Sequence, residues 1–238
     1  MSDPAVDPPV LEFDDVYAGY EQFRALFGIT FSVAPAQAVA LIGPNGVGKT
    51  TLARVASGLV VPSAGRVRVA GRDLTGQPAH QFAEAGIAHA PEGRSVFATL
   101  SVEENLLLPF RRQFGRAGQA GALDRAYELF PRLGERRRQE AGSLSGGEQR
   151  MLTLARVLVL EPKLLIADEL SLGLAPIITN EVYEVLRRIL ANGTALLVIE
   201  QQVDHALALA NHVIVLERGQ IVSSGPPEQV DAVAESFR

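Results

Sequence analysis

The chain has 238 residues, 47% of them hydrophobic, enough to fill one large α/β domain or a core with a smaller inserted unit. A net charge of −5 leaves no general basic field to hold a nucleic-acid backbone, and the absence of cysteine excludes disulfides and thiol chemistry. The longest apolar stretches, Met151 to Leu160 and Ala195 to Ile199, are interrupted or far short of the roughly 20 residues that span a bilayer.

Residues 1–10 are acidic and proline-rich and lack the cationic and apolar regions of a signal peptide; they are expected to form a flexible tail on a cytosolic protein. Leu11 to Val16 and Phe27 to Val33 carry enough β-branched and aromatic residues to read as strands, followed by a buried strand, Ala38 to Ile42. A helix is expected from about Lys49 to Gly58, then a strand from Gly65 to Ala70 that turns at Gly71. Helical periodicity dominates the middle, with a capping-box start at Ser101-Val102-Glu103-Glu104 and apolar spacing over Ala122 to Phe130. Strand and helix alternate again after Pro162: strands at Leu164 to Ala167, Ala195 to Ile199 and Val213 to Leu216, helices at Pro176 to Leu190 and Val203 to Ala210. The layout is an α/β nucleotide-binding core interrupted over about 90–160 by a mostly helical unit.

Gly43-Pro44-Asn45-Gly46-Val47-Gly48-Lys49-Thr50 lies between a buried strand and a helix, the proper context of a phosphate-binding loop for ATP or GTP. Backbone N–H groups of such a turn converge on the phosphates, and the helix end adds positive potential. Lys49 would neutralise the outer phosphates, and the Thr50 hydroxyl would join Mg²⁺, with Thr51 completing the phosphate-binding set. Arginine outnumbers lysine twenty to two, the lysines being Lys49 and Lys163; one of the two falls where a compact point charge is needed.

Leu164-Leu165-Ile166-Ala167-Asp168-Glu169 is an apolar strand ending in two acids at the edge where such sheets meet ligands. Asp168 is a candidate Mg²⁺ holder, and Glu169 a candidate base for the attacking water. Leu144-Ser145-Gly146-Gly147-Glu148-Gln149 opens a helix with an apolar face from Met151 to Val159. Ser145 and Glu148 have capping-box spacing, but two consecutive glycines cost a helix about 1 kcal/mol each, and they bare N–H groups suited to a phosphate.

Phosphate loop, LSGGE and a strand ending in Asp-Glu together resemble the ATP-binding subunit of ABC transporters, over about Leu11 to Ser223. The resemblance implies a P-loop NTPase core of ABC type with an antiparallel β subdomain and an inserted α-helical signature subdomain. It also implies a head-to-tail dimer in which Ser145, Gly146, Gly147 and Glu148 serve the partner's nucleotide. Tyr20 matches the adenine-stacking aromatic, with Tyr17 a weaker candidate.

Four positions depart from the general family pattern. Glu92 stands where most members have the Gln that senses Mg²⁺ and faces the permease; Gln201 replaces a His at the γ-phosphate; Ala175 replaces an Asp; Leu170 replaces a Pro. With Val102-Glu103-Glu104-Asn105-Leu106 and Ser171-Leu172-Gly173-Leu174-Ala175-Pro176, these resemble one of the two ATPase subunits of branched-chain amino acid importers. That resemblance implies a second, different ATPase subunit (a homodimer being open to the isolated chain), two membrane permeases, an extracytoplasmic solute-binding protein, and a peripheral place on the cytoplasmic face of the inner membrane. Two alternatives stay open: an ATP-gated module whose own site is slow because of Gln201 and Ala175, and a soluble non-transport ABC ATPase. Arg136-Arg137-Arg138 reads as a solvated helix face, and His80, His89, His205 and His212 as structural or surface residues without metal-ligand spacing.

Overall fold

The computed structural model describes residues 7–93, 95–201 and 203–234; the first six residues of the expected tail, and Arg94, lie outside them. Two compact units are present, one from the described residues of Met1–His89, Lys163–Asp168 and Leu190–Arg238, the other from Ala90–Pro162 and Glu169–Ile189.

The first unit holds two sheets. β1 (Leu11–Tyr20), β2 (Phe23–Val33), β4 (Ala64–Val69) and β5 (Arg72–Asp73) pair antiparallel in the order β2-β1-β4-β5. In β1 the alternation that buries Leu11 and Phe13 slips by one residue at Asp15, whose φ is 50°, and resumes at Val16 and Ala18. This bulge keeps both halves of a long strand facing the same core, so β1 runs past the expected end at Val16. Val10, placed in the tail by sequence, is buried and donates its N–H to the Val33 carbonyl.

The second sheet has the order β10-β9-β3-β8-β7-β6, formed by β10 (Gln220–Gly225), β9 (His212–Glu217), β3 (Ala38–Ile42), β8 (Ala195–Glu200), β7 (Leu164–Asp168) and β6 (Ile87–Ala90). β9, β3, β8 and β7 run parallel, and β3, β7 and β8 are buried at every position, which is why their sequences are continuous apolar runs. α1 (Lys49–Ala56) contributes Leu52, Ala53, Val55 and Ala56 to one core shared with both sheets. α2 (Ala79–Glu84), α7 (Val203–Leu207) and α8 (Pro227–Ala234) complete the unit.

The second unit is helical: α3 (Val102–Leu129), α4 (Pro131–Glu135), α5 (Gly146–Leu158) and most of α6 (Pro176–Ala191). Ser101 and Glu104 close the expected capping box at the head of α3. α3 breaks at Gly115, with φ 62° and ψ −172°, and carries Pro109 upstream, so the span is two helices meeting at a kink, in keeping with the two separate helical stretches in the sequence. Asn105, fully buried, accepts the Phe97 N–H and donates to the carbonyls of Phe97, Leu100 and Ser101, fixing the approach to the helix.

Candidate functional site

In the first unit the parallel register sets Ile42 beside Glu200 and Asp168 beside Ile199, so the phosphate loop, Asp168 and Gln201 all follow from the carboxyl edge of one sheet. Open α/β sheets bind ligands at that edge. The loop's glycines have separate causes. A Cβ on Gly43 would stand 2.2 Å from the Leu216 carbonyl oxygen, and one on Gly48 would stand 2.7 Å from that of Ala25. Gly46, at φ 78°, has nothing among the described residues within 4 Å of where a Cβ would stand; it answers to backbone conformation.

Gly48 stands at the N-cap of α1 and makes no side-chain cap bond. Lys49 is 4% exposed, and its ammonium donates to the carbonyls of Gly43 at 2.8 Å and Pro44 at 2.9 Å. Its charge is thus held over its own loop. Pro44, Asn45 and Gly46 are exposed, Val47 and Thr50 half-buried, and Thr51 buried.

Tyr20, 42% exposed as a residue, ends β1; Arg54 of α1 donates to its hydroxyl at 3.0 Å and lies 5.9 Å from the ring centre. Tyr17 is similarly covered by Arg24, at 5.6 Å. Gln201 is exposed, while Glu200 before it is buried.

Asp168 is fully buried at the end of β7, and His89 of β6 sits beside it, Nε2 to Oδ2 being 4.0 Å. The other ring nitrogen of His89 is 3.1 Å from the Ser57 hydroxyl. Burial, aided by the positive Arg54, pushes this imidazole down to about 4, so it is neutral at pH 7. His89 is therefore a neighbour of the expected metal-binding acid rather than a surface residue. Its only sequence signal is the short alternating run before Pro91.

Among the described residues no group of three or more His, Cys, Asp or Glu is placed to hold a metal. Thr50 and Asp168 offer hard oxygen donors, which fit Mg²⁺ when water and phosphate oxygens supply the remaining ligands.

In the second unit, Ser145 caps α5. Its N–H and O–H donate to Glu148 Oε2 at 2.9 and 2.8 Å, and its hydroxyl accepts the Glu148 N–H. The two glycines differ. A Cβ on Gly147 would fall 2.7 Å from Ile178 Cγ2, whereas Gly146 faces open space. Packing explains one of the pair; the other meets nothing among the described residues.

Glu169 is half-buried with φ 48°, a left-handed conformation that costs a residue with a Cβ roughly 1–2 kcal/mol. Leu170 after it is fully buried, so the residue in place of the family's usual Pro fills core volume. Glu92 is exposed next to Gly93, whose φ is 88°. Ala175, also exposed, accepts the first bonds of α6 from Ile178 and Thr179 and has no side chain to cap it. Sequence reasoning also passed over Arg150, buried in α5 and bonded to the carbonyls of Pro91, Gly93 and Glu169. The sequence offered little signal for it, since its burial, shared with every residue from Gly147 to Ala155, shows only in the fold.

The ABC transporter family model matches residues 26–171. The chain is 42% identical over 215 residues to the high-affinity branched-chain amino acid transport ATP-binding protein BraG of Pseudomonas aeruginosa, covering 90% of this chain and 91% of that protein. It is 35% identical over 223 residues to Nod factor export ATP-binding protein I of Paraburkholderia xenovorans, covering 93% of this chain and 72% of that one. Among solved structures, a nucleotide-free ATP-binding cassette from an ABC transporter superposes with a TM-score of 0.84 at 26% identity, covering 96% of both chains. The ADP conformation of an ATP-binding cassette of an ABC transporter gives 0.82 at 26%, covering 96% of this chain and 95% of that one.

Proposed function

Because the chain belongs to the ABC transporter family, we propose that it is the ATP-binding, ATP-hydrolysing subunit of an importer for branched-chain amino acids. The observation that carries this reading is the 42% identity to BraG over nine-tenths of both chains. The lower identity to Nod factor export proteins, which this chain covers for 72% of their length, gives export less support.

The chain works at the cytoplasmic face of the inner membrane, docked on separate permeases; among the described residues no helix is long and apolar enough to cross a membrane itself. The backbone N–H groups of Gly43 and of residues 45–51, with the Lys49 ammonium, hold the ATP phosphates, and Tyr20 stacks on the adenine. Thr50 and Asp168 hold Mg²⁺, which when bound offsets phosphate charge. Glu169 accepts a proton from the attacking water, while Glu92 and Gln201 sense the state of the site. Ser145, Gly146 and Gly147, at the head of α5 within the helical subdomain of about 90–160, meet the nucleotide of a second ATPase subunit in a head-to-tail dimer. Closure of that dimer on two ATP molecules supplies the differential affinity that moves the permeases.

Proteoliposomes containing the chain, a second ATPase and two permeases test this, with leucine-loaded binding protein outside. Wild type should hydrolyse ATP and accumulate leucine; Glu169→Gln should stop both while ATP stays bound. Leucine-independent turnover with outward solute movement would replace import by export. Gln201 and Ala175 favour a second reading, in which this subunit's own site turns over slowly and acts chiefly as an ATP-gated module. A rise in turnover on Gln201→His would support that reading, and no change would count against it.

A further inference from the structure

Arg150 lies in α5 five positions beyond the Ser145 cap and is 6% exposed. Its Nη1 donates to the carbonyls of Pro91 at 2.9 Å and Gly93 at 3.1 Å, and its Nη2 donates to the carbonyl of Glu169 at 3.2 Å. One planar fork thus grips the carbonyls of the residues on either side of Glu92 and the carbonyl of Glu169 itself. We propose that Arg150 is a positioning residue: it holds Glu169 in its left-handed conformation and couples that carboxylate to the Glu92 segment.

The direction of the Glu169 carbonyl is set by the ψ of Glu169, the torsion next to its positive φ of 48°. A donor fixed on that carbonyl opposes relaxation of the residue toward the ordinary right-handed region, which would swing the side chain away. The Leu172 N–H reaches the same oxygen at 3.4 Å, a longer bond than that of Arg150. Gly93 has φ 88°, and among the described residues nothing lies within 4 Å of where a Cβ would stand. The Pro91 and Gly93 carbonyls are bonded by a guanidinium that lysine, with its single ammonium, cannot reproduce at three separated acceptors. Displacement of the Glu92 segment therefore pulls on the group that orients Glu169. The inference rests on the proposed role of Glu169 as the base.

The test compares wild type, Arg150→Met, Arg150→Lys, Glu169→Gln and the Arg150→Met/Glu169→Gln double variant in the full chain. Hydrogen exchange is measured first, because it needs no turnover. Peptides covering 91–97 and 169–174 should both exchange faster in Arg150→Met, and less so in Arg150→Lys, while peptides from β3, β7 and β8 keep wild-type rates. Unchanged exchange in either segment overturns the proposal. So does faster exchange throughout in both variants, which would make Arg150 a general prop of the fold.

In the assembled complex, Arg150→Met should lower kcat by about 10- to 100-fold, the scale of an ångström-sized misplacement, with the KM for ATP unchanged. The double variant should be no slower than Glu169→Gln alone. A KM that rises as kcat falls, or a further loss in the double variant, overturns it. If Glu169→Gln keeps wild-type turnover, the reading of Glu169 as base fails and takes the link to catalysis with it; the exchange result still decides whether Arg150 holds the two segments.

Discussion

Arg136 Nε lies 2.7 Å from Glu148 Oε1, while the other oxygen of that carboxylate closes the capping box with Ser145. Burial pushes the Glu148 carboxyl up, but the Ser145 N–H and O–H and the Arg136 guanidinium outweigh it and hold the group below its usual range. Glu148 therefore works on the head of its own helix. Arg136, expected to be simply solvated, is the outer clamp on the same turn.

Glu148→Ala should remove cap and ion pair together and lower stability by about 1–2 kcal/mol, read from urea midpoints at constant m. Glu148→Gln keeps the reciprocal cap and loses only the charge, so its cost should stay within about 1 kcal/mol. Equal losses in the two variants would place the energy in the ion pair instead of the cap.

The neighbouring glycines should separate stability from function. Gly147→Ala forces a methyl into contact with Ile178 Cγ2 and should cost about 1–3 kcal/mol, a cost that Ile178→Ala in the same chain relieves. Gly146→Ala meets nothing and should leave the urea midpoint unchanged or higher, yet depress ATP turnover in the complex. Wild-type turnover in Gly146→Ala would remove that face from nucleotide contact.

His89 makes stability depend on pH. Its folded value, about 4, lies below the ordinary 6.5, so between these limits the unfolded chain binds more protons. The stabilising effect of the neutral buried ring is complete above about 6.5 and disappears as pH falls to about 4, a loss of order 3 kcal/mol. His89→Phe should flatten the slope of unfolding free energy between pH 7 and pH 5. A slope as steep as wild type would assign it to the carboxylates.

Ala175, just before α6, has no polar side chain to offer the first turn, where an Asp or Ser could accept from its amides. Ala175→Ser and Ala175→Asp should each raise stability by about 0.5–2 kcal/mol, visible as a few degrees in Tm. No gain from either would mean that the first-turn amides of α6 already have other partners.

Much of this was legible in the chain, because much of it is local. The phosphate loop is eight consecutive residues whose geometry follows from Gly43, Gly46 and Gly48; the caps at Ser101 and Ser145 each span four positions. β3, β7 and β8 announce themselves as unbroken apolar runs because they are buried throughout. The reading was poorer where local pattern was thin. β6 is four residues long, β5 two, and the end of β1 lies beyond a bulge that breaks its alternation.

Sequence by itself determined that this chain carries a phosphate loop, a capped glycine pair and an acidic strand end, since each depends on backbone torsions and residues a few positions apart. Only the tertiary structure decided that β8 stands between β3 and β7, that His89 is pressed against Asp168, and that Arg150 grips the carbonyls of Pro91, Gly93 and Glu169. Those relationships join residues far apart in the chain. They arise because burying both sheets and the helical unit leaves polar groups that must find their partners inside, and no local periodicity records which partner that is.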